Sequence, residues 1–359
     1  MLDMQLPPQD GIKDAWEELK RSRPRLHQKD AADLLGITEA VLVASRCGDG
    51  VVRMKPEWKE LLAGLAAVGA VKTITRNQHA VHETIGHYSN LTLQGPFALV
   101  QDNGLDLRLL LPAWHCGFAV SERVSTGTRW SLQFYDRRGA SVHKIFLEAE
   151  ADVGAFLRLI SRLADADQGT EQLLVEAAAV ADHGATTAAV APDGATLLDD
   201  WAALQDTHDF HGMLTAHRIG RREAMTRAQG RFTRSAGTDA LRTLLEKVQG
   251  SGVPIMVFVG NPGAVQIYTG PVADVRVLGP WLNILDPAFN LHVREDAIES
   301  VWIVEKPTAD GVVTSLEAYA HDGTEIVTLY GARKPGIPEL PAWRAALDAL
   351  ATTVAAVPA

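Results

Sequence analysis

The chain has 359 residues, of which 47% are apolar and 22% are charged, so it is long enough for two domains with sizeable cores and is neither disordered nor collagen-like. Its 34 Lys and Arg residues against 44 Asp and Glu residues give a formal net charge of −10, which excludes an overall basic surface for nucleic acid but allows a local basic pocket. The only two cysteines, Cys47 and Cys116, argue against a disulfide framework and favour a reducing compartment.

The N-terminal stretch MLDMQLPPQDGIKDAW has neither the basic segment nor the apolar segment of a secretory signal. No later stretch approaches the roughly 20 consecutive apolar residues that a membrane-spanning helix requires. We therefore expect a cytoplasmic protein without membrane insertion.

The sequence contains an internal repeat, because one constant shift, which places Gly36 on Gly220, aligns its two halves without a gap over a long span. Many of the matches are Gly, Asn and Pro residues, which fix turns and so are informative about structure. Further matched pairs are Asn77 with Asn261, Gly86 with Gly270, Pro96 with Pro280, Tyr135 with Tyr319 and Gly139 with Gly323. We infer that the halves are two copies of one unit.

Each copy begins with a helical pattern, as in KDAADLLGITEAVLVASR, and continues into short apolar runs separated by turn dipeptides such as Arg138-Gly139 and Asp322-Gly323. Such dipeptides between alternating runs predict antiparallel hairpins, and a further helix closes each copy. The predicted fold is α+β, with two pseudo-symmetric repeats that each form a large antiparallel sheet flanked by helices. We expect an N-terminal repeat over residues 1–167, an Ala/Gly-rich linker over 168–199 and a C-terminal repeat over 200–359.

Positions where only one copy carries a chemically capable group are candidate functional positions, because folding needs only what the copies share. The first copy has Arg108 where the second has His292, and His82 where the second has Gln266. The second copy has gained three cations, a phenol and an imidazole: His208 for Pro24, Arg221 for Ile37, Lys306 for Glu122, Tyr330 for Phe146 and Arg333 for Ala149.

The segment DDWAALQDTHDFHGML predicts a helix that carries Trp201, Leu204, His208 and His211 on one stripe, since steps of three and four residues share a face. One interpretation is a core histidine that is hydrogen bonded to a carbonyl. The other is an axial ligand to a large apolar cofactor with acidic tails. Haem fits this second interpretation, because its iron binds imidazole and its propionates bind Arg, Lys or Tyr.

Two other site types remain as alternatives. His208 and His211 could supply half of a non-haem zinc or iron site, although no third ligand is evident. The segment DAADLLGITEAVLVA has the pattern of a DNA-binding helix-turn-helix, but the net acidity and its place in the repeat favour a packing role.

The motifs of nearly the whole chain resemble those of the bacterial hemin-degrading factor or hemin transport protein family (HemS/ChuS/PhuS-like). They include RNQHAVHETIGHY, DLRLLLPAWHCGFAV, DTHDFHGMLTAHRIGRREAM, NPGAVQIYTG, EKPTADGVVTSLEAY and LYGARKPG. The resemblance implies a pseudo-symmetric pair of α+β halves, in which haem b (iron protoporphyrin IX) is held mainly by the second half.

Carried over by motif, the resemblance implies that His208 of the DTH segment is the axial iron ligand and that Arg108 of the DLR segment lies over the opposite haem face. It also implies that the propionates and the pocket rim are surrounded by Arg221, Lys306, Tyr330 and Arg333. The chain departs from the family pattern where His211 follows Phe210 and where Leu109 and Leu110 follow the DLR motif. His211 therefore offers an additional ligand, and His82 is a further alternative.

The resemblance implies a protein that accepts haem from an import system and either degrades it, with Arg108 and His208 acting in catalysis, or transfers it. Degradation would need an external reductant, because the chain lacks a strand-to-helix GxGxxG signature for a nicotinamide or flavin. The alternative is a haem chaperone without catalytic activity that delivers haem to a separate haem oxygenase. A nucleic-acid partner is not expected.

Overall fold

The computed structural model describes residues 9–102, 104–169, 196–334 and 336–350. The described residues form two compact units. The N-terminal unit takes its residues from 1–77, 83–181 and 261–266, and the C-terminal unit from 78–82, 182–260 and 267–359. Most of the linker predicted for residues 168–199 lies outside the described residues, and a helix, Leu197–Ala202, spans its predicted end.

The helices lie at the beginning and end of each repeat. In the first repeat they are α1 (Gln9–Ser22), α2 (Gln28–Leu35), α3 (Glu39–Ala44), α4 (Trp58–Gly64) and α5 (Val153–Leu163). In the second they are α6 (Leu197–Ala202), α7 (Asp209–Ala216), α8 (Arg221–Arg227), α9 (Ala240–Val248) and α10 (Pro341–Asp348).

The strands fall into two large antiparallel sheets. The first repeat contains β1 (Val51–Arg53), β2 (Val71–Arg76), β3 (Ala80–Gly86), β4 (Leu91–Gln94), β5 (Phe97–Asp102), β6 (Leu105–Leu110), β7 (Cys116–Val124), β8 (Gly127–Tyr135) and β9 (Ser141–Leu147). The second contains β10 (Thr233–Ala236), β11 (Ile255–Asn261), β12 (Ala264–Gly270), β13 (Val275–Leu278), β14 (Trp281–Asp286), β15 (Phe289–Arg294), β16 (Ile298–Thr308), β17 (Gly311–Ala320) and β18 (Glu325–Gly331).

The strand pairing is the same within each unit. In the N-terminal unit β1, β7, β8, β9 and β2 pair in that order, and β4, β5 and β6 form a meander. In the C-terminal unit β10, β16, β17, β18 and β11 pair in that order, and β13, β14 and β15 form the matching meander. The predicted α+β fold of two repeats is confirmed.

The hairpins form where the sequence predicts them. Gly139 and Gly323 occupy the turns after β8 and β17 with φ of 72° and 84°, a left-handed conformation that glycine adopts without steric cost. Burial alternates along β2 and β11, so one face of each strand packs on a core and the other is partly open. The period of two along these strands fixes which residues reach the core.

The core that positions the functional segment lies in the C-terminal unit, where α6, α7 and α8 pack against β16 and β17. Trp201 is fully buried, contacts Phe210 edge-on at 4.7 Å between ring centroids and stacks on Phe232 at 5.4 Å. Its indole Nε1 donates to the carbonyl oxygen of Glu305 at 2.9 Å. Burial of each such large side chain contributes about 1.5–3 kcal/mol, so α6 and α7 are firmly placed on the sheet.

None of the described helices combines the length and the apolar character that a membrane span requires.

Candidate functional site

The segment that carries the two candidate histidines is not one helix, so the single-stripe prediction was wrong. Helix α6 ends at Ala202, and α7 begins at Asp209 with His208 as its N-cap. Between them the Asp206 carboxylate accepts a hydrogen bond from the backbone N–H of His208 at 2.9 Å. Such a side-chain bond to the backbone competes with helical hydrogen bonding, which explains the break.

The break also changes which side chains face the core. Trp201 and Leu204 are buried, as the stripe predicted, but the His208 side chain is 70% exposed and His211 is exposed too. The buried positions of α7 are instead Phe210, Met213 and Leu214. The interpretation of His208 as a core histidine is therefore wrong, and both imidazoles are accessible to a ligand.

The His208 ring is oriented by the same carboxylate that ends the helix. Asp206 Oδ1 lies 2.6 Å from His208 Nδ1, and because a carboxylate only accepts, the ring nitrogen is the donor. The pKa of Asp206 is lowered by the hydrogen bond from the His208 backbone, then by the ring, and further by the charge of Arg333. Asp206 therefore remains a carboxylate at neutral pH.

Three of the predicted rim residues, Arg221, Lys306 and Tyr330, meet in one buried cluster around Glu317. Glu317 is fully buried. Its carboxylate accepts hydrogen bonds from Nε and Nη2 of Arg221, at 2.9 and 2.8 Å, and from Nζ of Lys306 at 2.7 Å. The remaining donors to this carboxylate are Ser315 Oγ at 2.8 Å and Tyr319 Oη at 2.5 Å. We call these residues the Glu317 cluster.

Burial alone would raise the pKa of Glu317, but the charges and hydrogen bonds of Arg221 and Lys306 hold it well below its usual range. Desolvation would likewise lower the pKa of Arg221, yet Glu317 and Glu325 keep it above its usual value. The cluster thus keeps the Arg221 guanidinium and the fully buried Glu317 carboxylate charged together.

All three ammonium N–H donors of Lys306 have partners. They reach Ser315 Oγ at 3.1 Å, Glu317 Oε1 at 2.7 Å and Tyr330 Oη at 2.9 Å, and the side chain is 1% exposed. Lys306 would have to break one of these bonds to bind a propionate directly. The Tyr330 hydroxyl accepts from Lys306, and its own hydrogen remains available for donation.

Phe210 connects the cluster to the histidine segment. Its ring lies 5.3 Å from the Arg221 guanidinium carbon and 4.9 Å from Lys306 Nζ, distances at which a cation is attracted to an aromatic face. Phe210 is buried two residues after His208. The cluster therefore anchors the first turn of α7, which carries the candidate ligand.

Arg333 lies outside this cluster, with Nη2 3.1 Å from Asp310 Oδ2. Its Nε is buried without a hydrogen-bond partner among the described residues. The charge of Arg333 contributes, as the smallest of the causes, to the lowered pKa of Asp206.

Arg108 lies on β6 of the N-terminal unit, half-buried, with Asp106 two residues before it on the same face. Burial raises the pKa of Asp106, and Arg108 partly offsets that effect. His82 is fully buried against Phe289, and burial lowers the pKa of His82 to about 3, so this imidazole is neutral and enclosed. Whether His82 or His211 serves as an alternative ligand stays a prediction.

The other site types receive no support from the described part of the chain. No group of three or more His, Cys, Asp or Glu side chains is arranged there to hold a metal ion. The helix-turn-helix pattern does form as α2 and α3, but all six residues of α3 are buried. A recognition helix must enter a DNA groove, so α3 cannot act as one.

Sequence reasoning missed Glu317, Asp206 and Phe210. The repeat alignment sets Glu317 against Gln133 and Phe210 against Leu26, so the comparison of the two copies contains the signal for both. Glu317 is a gained anion, whereas the residues predicted as functional in the second copy are cations, a phenol and an imidazole. The alignment also sets Asp206 against Ser22, but the role of Asp206 depends on the turn, which the comparison of the copies does not reveal.

Comparison with known protein families gives one match, the haemin-degrading HemS.ChuX domain, over residues 36–163 and again over residues 218–350. Among curated proteins, the hemin transport protein HmuS of Yersinia pestis is 37% identical over 332 residues, which cover 92% of this chain and 94% of HmuS. The hemin transport protein HemS of Yersinia enterocolitica is also 37% identical, over 336 residues.

Two solved structures are similar over nearly the whole chain. The heme-binding protein PhuS of Pseudomonas aeruginosa, in its holo form, is 41% identical with a TM-score of 0.88 and covers 96% of this chain and 100% of its own. The heme degrading enzyme ChuS of Escherichia coli O157:H7 is 36% identical with a TM-score of 0.87 and covers 96% of this chain and 99% of its own. Both similarities extend through the two repeats.

Proposed function

The chain belongs to the haemin-degrading HemS.ChuX family, and we propose that it is a cytoplasmic haem-binding protein that accepts imported haem and degrades it or transfers it. The observation that supports this function best is His208, an exposed imidazole at the N-cap of α7 whose Nδ1 is bound to Asp206. Its other ring nitrogen then has the lone pair that iron binds. Haem is the cargo or substrate of such a protein and not a resident cofactor.

In this proposal His208 is the axial ligand, the cargo is haem b, and Arg108 of the DLR motif acts on the opposite face. A guanidinium there would stabilise an oxygen ligand by a charge-assisted hydrogen bond. The family motif supports the role of Arg108.

The propionates, in this proposal, are bound by the groups that keep donor capacity. Arg221 is 30% exposed at its side chain and carries five N–H donors, of which two bind Glu317. Arg333 has the buried Nε without a partner among the described residues, and Tyr330 keeps its hydroxyl hydrogen. Lys306, whose Nζ lies 4.9 Å from the centroid of the Phe210 ring, contributes positive charge to the site in this proposal.

Degradation and transfer are distinguished by one experiment. Purified protein is mixed with haemin, a reductant is added in air with catalase present, and the spectrum is followed. Loss of the haem band with the appearance of a tetrapyrrole product supports degradation with an external electron donor. A persistent haem complex supports the chaperone, which would deliver haem to a separate haem oxygenase.

The same mixture tests the binding proposal itself. Formation of a stable complex with the absorption of histidine-ligated haem supports it, whereas haemin that stays as free aggregates at micromolar protein contradicts it. Catalase removes peroxide, so bleaching by peroxide is not mistaken for enzymatic turnover.

A further inference from the structure

We propose that Asp206 is a positioning residue that fixes the tautomer and the direction of the His208 ring and strengthens its electron donation as an iron ligand. The inference rests on the proposed function, in which His208 binds the haem iron. It assigns the carboxylate of the short turn before α7 a role beyond ending the helix.

The position of the carboxylate does not depend on the ring. Asp206 Oδ1 accepts the backbone N–H of His208 at 2.9 Å, which holds the carboxylate inside the turn. A backbone hydrogen bond also connects this turn to the loop after β16. The N–H of Ala309 donates to the carbonyl oxygen of Gln205 at 2.9 Å. The imidazole therefore meets an acceptor that the backbone already holds in place.

The contact with the ring sets the chemistry of His208. Its Nδ1 lies 2.6 Å from the same Oδ1, so Nδ1 carries the hydrogen and Nε2 carries the lone pair. Metal-binding histidines commonly donate their second ring N–H to a carboxylate, which fixes the ring and makes the ligand more basic. An imidazole that donates more electron density to the iron stabilises ferric over ferrous haem, and ferric haem is the form in which haemin is supplied.

A second histidine–carboxylate contact in the same region provides a matched control. His217, the C-cap of α7, has Nε2 2.6 Å from Asp200 Oδ2 on α6. His217 is 6% exposed, whereas the His208 side chain is 70% exposed. The Asp200 contact thus joins two helices, while the Asp206 contact lies at the surface, where such a pair adds little to stability.

The experiment compares Asp206→Asn, Asp206→Ala and Asp200→Asn with the unmodified chain. Haemin affinity is measured by titration, the iron–histidine stretch by resonance Raman of the ferrous complex, and folding by the thermal unfolding midpoint of the haem-free protein. Asparagine keeps an acceptor oxygen but removes the charge, so it separates the effect of the carboxylate charge from the effect of ring orientation.

We expect Asp206→Asn to weaken haemin binding about tenfold, in the range known for partners of metal-bound histidines, and Asp206→Ala to weaken it further. Both should lower the iron–histidine stretching frequency and make the iron reduction potential more positive, with an unfolding midpoint close to that of the unmodified chain. Asp200→Asn should lower the midpoint and leave the stretch unchanged.

An unchanged stretch and affinity in both Asp206 variants, while His208→Ala loses its normal ligation, would overturn the role of Asp206 and leave the proposed ligand standing. Unchanged ligation in His208→Ala would overturn both, because Asp206 acts only through that ring. A loss of affinity in the Asp206 variants that only follows a lowered unfolding midpoint would make the contact structural.

Discussion

Equivalent strands of the two repeats, β8 and β17, carry similar polar ladders that differ in one member. On β8, Gln133 accepts the hydroxyl of Tyr135 at 2.7 Å and forms a neutral, fully buried pair. On β17, Glu317 takes the place of the glutamine, accepts the hydroxyl of Tyr319 and binds two cations. The repeat alignment sets these strands against each other residue by residue.

The same backbone thus supports a neutral glutamine–tyrosine pair on β8 and a buried ionic cluster around β17, although the first repeat also has a buried ion pair between Lys144 and Glu39. The exchange is coordinated, because Lys306 stands where the first repeat has Glu122, and Arg221 stands where it has Ile37. At these positions the second repeat brings a carboxylate and two cations together, and both cations lie against the Phe210 ring, two residues after His208. The difference indicates that the two copies share one scaffold and differ in the charges that they carry at these positions.

The largest expected effect comes from giving the second repeat the residue of the first. Glu317→Gln leaves Lys306 and Arg221 without their shared carboxylate, and breaking a buried ion pair in this way costs about 3–5 kcal/mol. We expect that loss in the free energy of unfolding, measured by urea denaturation.

Glu325→Gln is the matched control, because Glu325 also forms an ion pair with Arg221 but is more exposed. Its Oε2 lies 3.3 Å from Arg221 Nε, and its side chain is 35% exposed. Its loss should cost less than about 1 kcal/mol. Equal effects of the two substitutions would contradict the view that burial of Glu317 makes the second repeat distinct.

The stability of the unmodified chain should depend on pH through Glu317, whereas that contribution is absent from Glu317→Gln. The folded pKa of Glu317 is below the ordinary value of 4.5, so its contribution is present above pH 4.5 and is lost as the pH falls further, through the folded pKa. Unfolding measured between pH 6 and pH 2 should show a steeper acid loss for the unmodified chain than for Glu317→Gln. Parallel curves would show that the cluster does not titrate with folding.

Each unit also has a buried histidine that should cause a loss of stability on acidification, and this loss should begin at a higher pH than the loss caused by Glu317. Burial lowers the pKa of His143 and of His82 to about 3 from 6.5, so each favours the folded state above pH 6.5 and loses that contribution as the pH falls to about 3. His143→Gln and His82→Gln should each flatten the stability curve over that interval. A slope unchanged in either variant would contradict the assignment for that histidine.

The asymmetry of the repeats predicts a haemin stoichiometry of about one per chain, because only the second repeat combines His208 with the Glu317 cluster and Arg333. Titration monitored by absorption measures this directly. Two equivalent tight sites would show that the shared scaffold, and not the charge exchange, determines binding.

The smallest expected effect on affinity is that of Arg108, which lies in the other unit. Arg108→Ala should leave haem bound but change the spectrum of the sixth ligand and any turnover, since a cation on the opposite face acts on the bound ligand more than on the porphyrin. A collapse of affinity with an unchanged spectrum of the residual complex would instead make Arg108 a propionate ligand.

Sequence reasoning predicted most of the fold because the repeat supplies an internal alignment. The bounds of β9, Ser141–Leu147, and of β18, Glu325–Gly331, correspond residue for residue in that alignment. Reasoning from periodicity failed between Trp201 and His211, because a carboxylate in the turn competes with helical hydrogen bonds, and no periodic pattern encodes that competition.

The candidate site was predicted less completely than the fold. Arg221, Lys306 and Tyr330 do come together, but both cations bind a buried carboxylate of the protein, and the Tyr330 hydroxyl accepts from Lys306. A count of charges by position gives no information about burial. The two cations that the sequence predicts as propionate ligands therefore have a structural role, because they bind the buried Glu317 carboxylate.

The central claim is that His208 binds the haem iron, and ligation in histidine variants tests it most directly. His208 and His211 are three residues apart at the start of α7, so either imidazole could approach the same edge of the haem. One axial position of the iron binds only one imidazole nitrogen. We expect His208→Ala to bind haem with an altered spectrum, His211→Ala to remain close to the unmodified chain, and the double variant to lose nitrogen ligation. An unchanged spectrum in His208→Ala, together with loss of ligation in His211→Ala, would contradict the account.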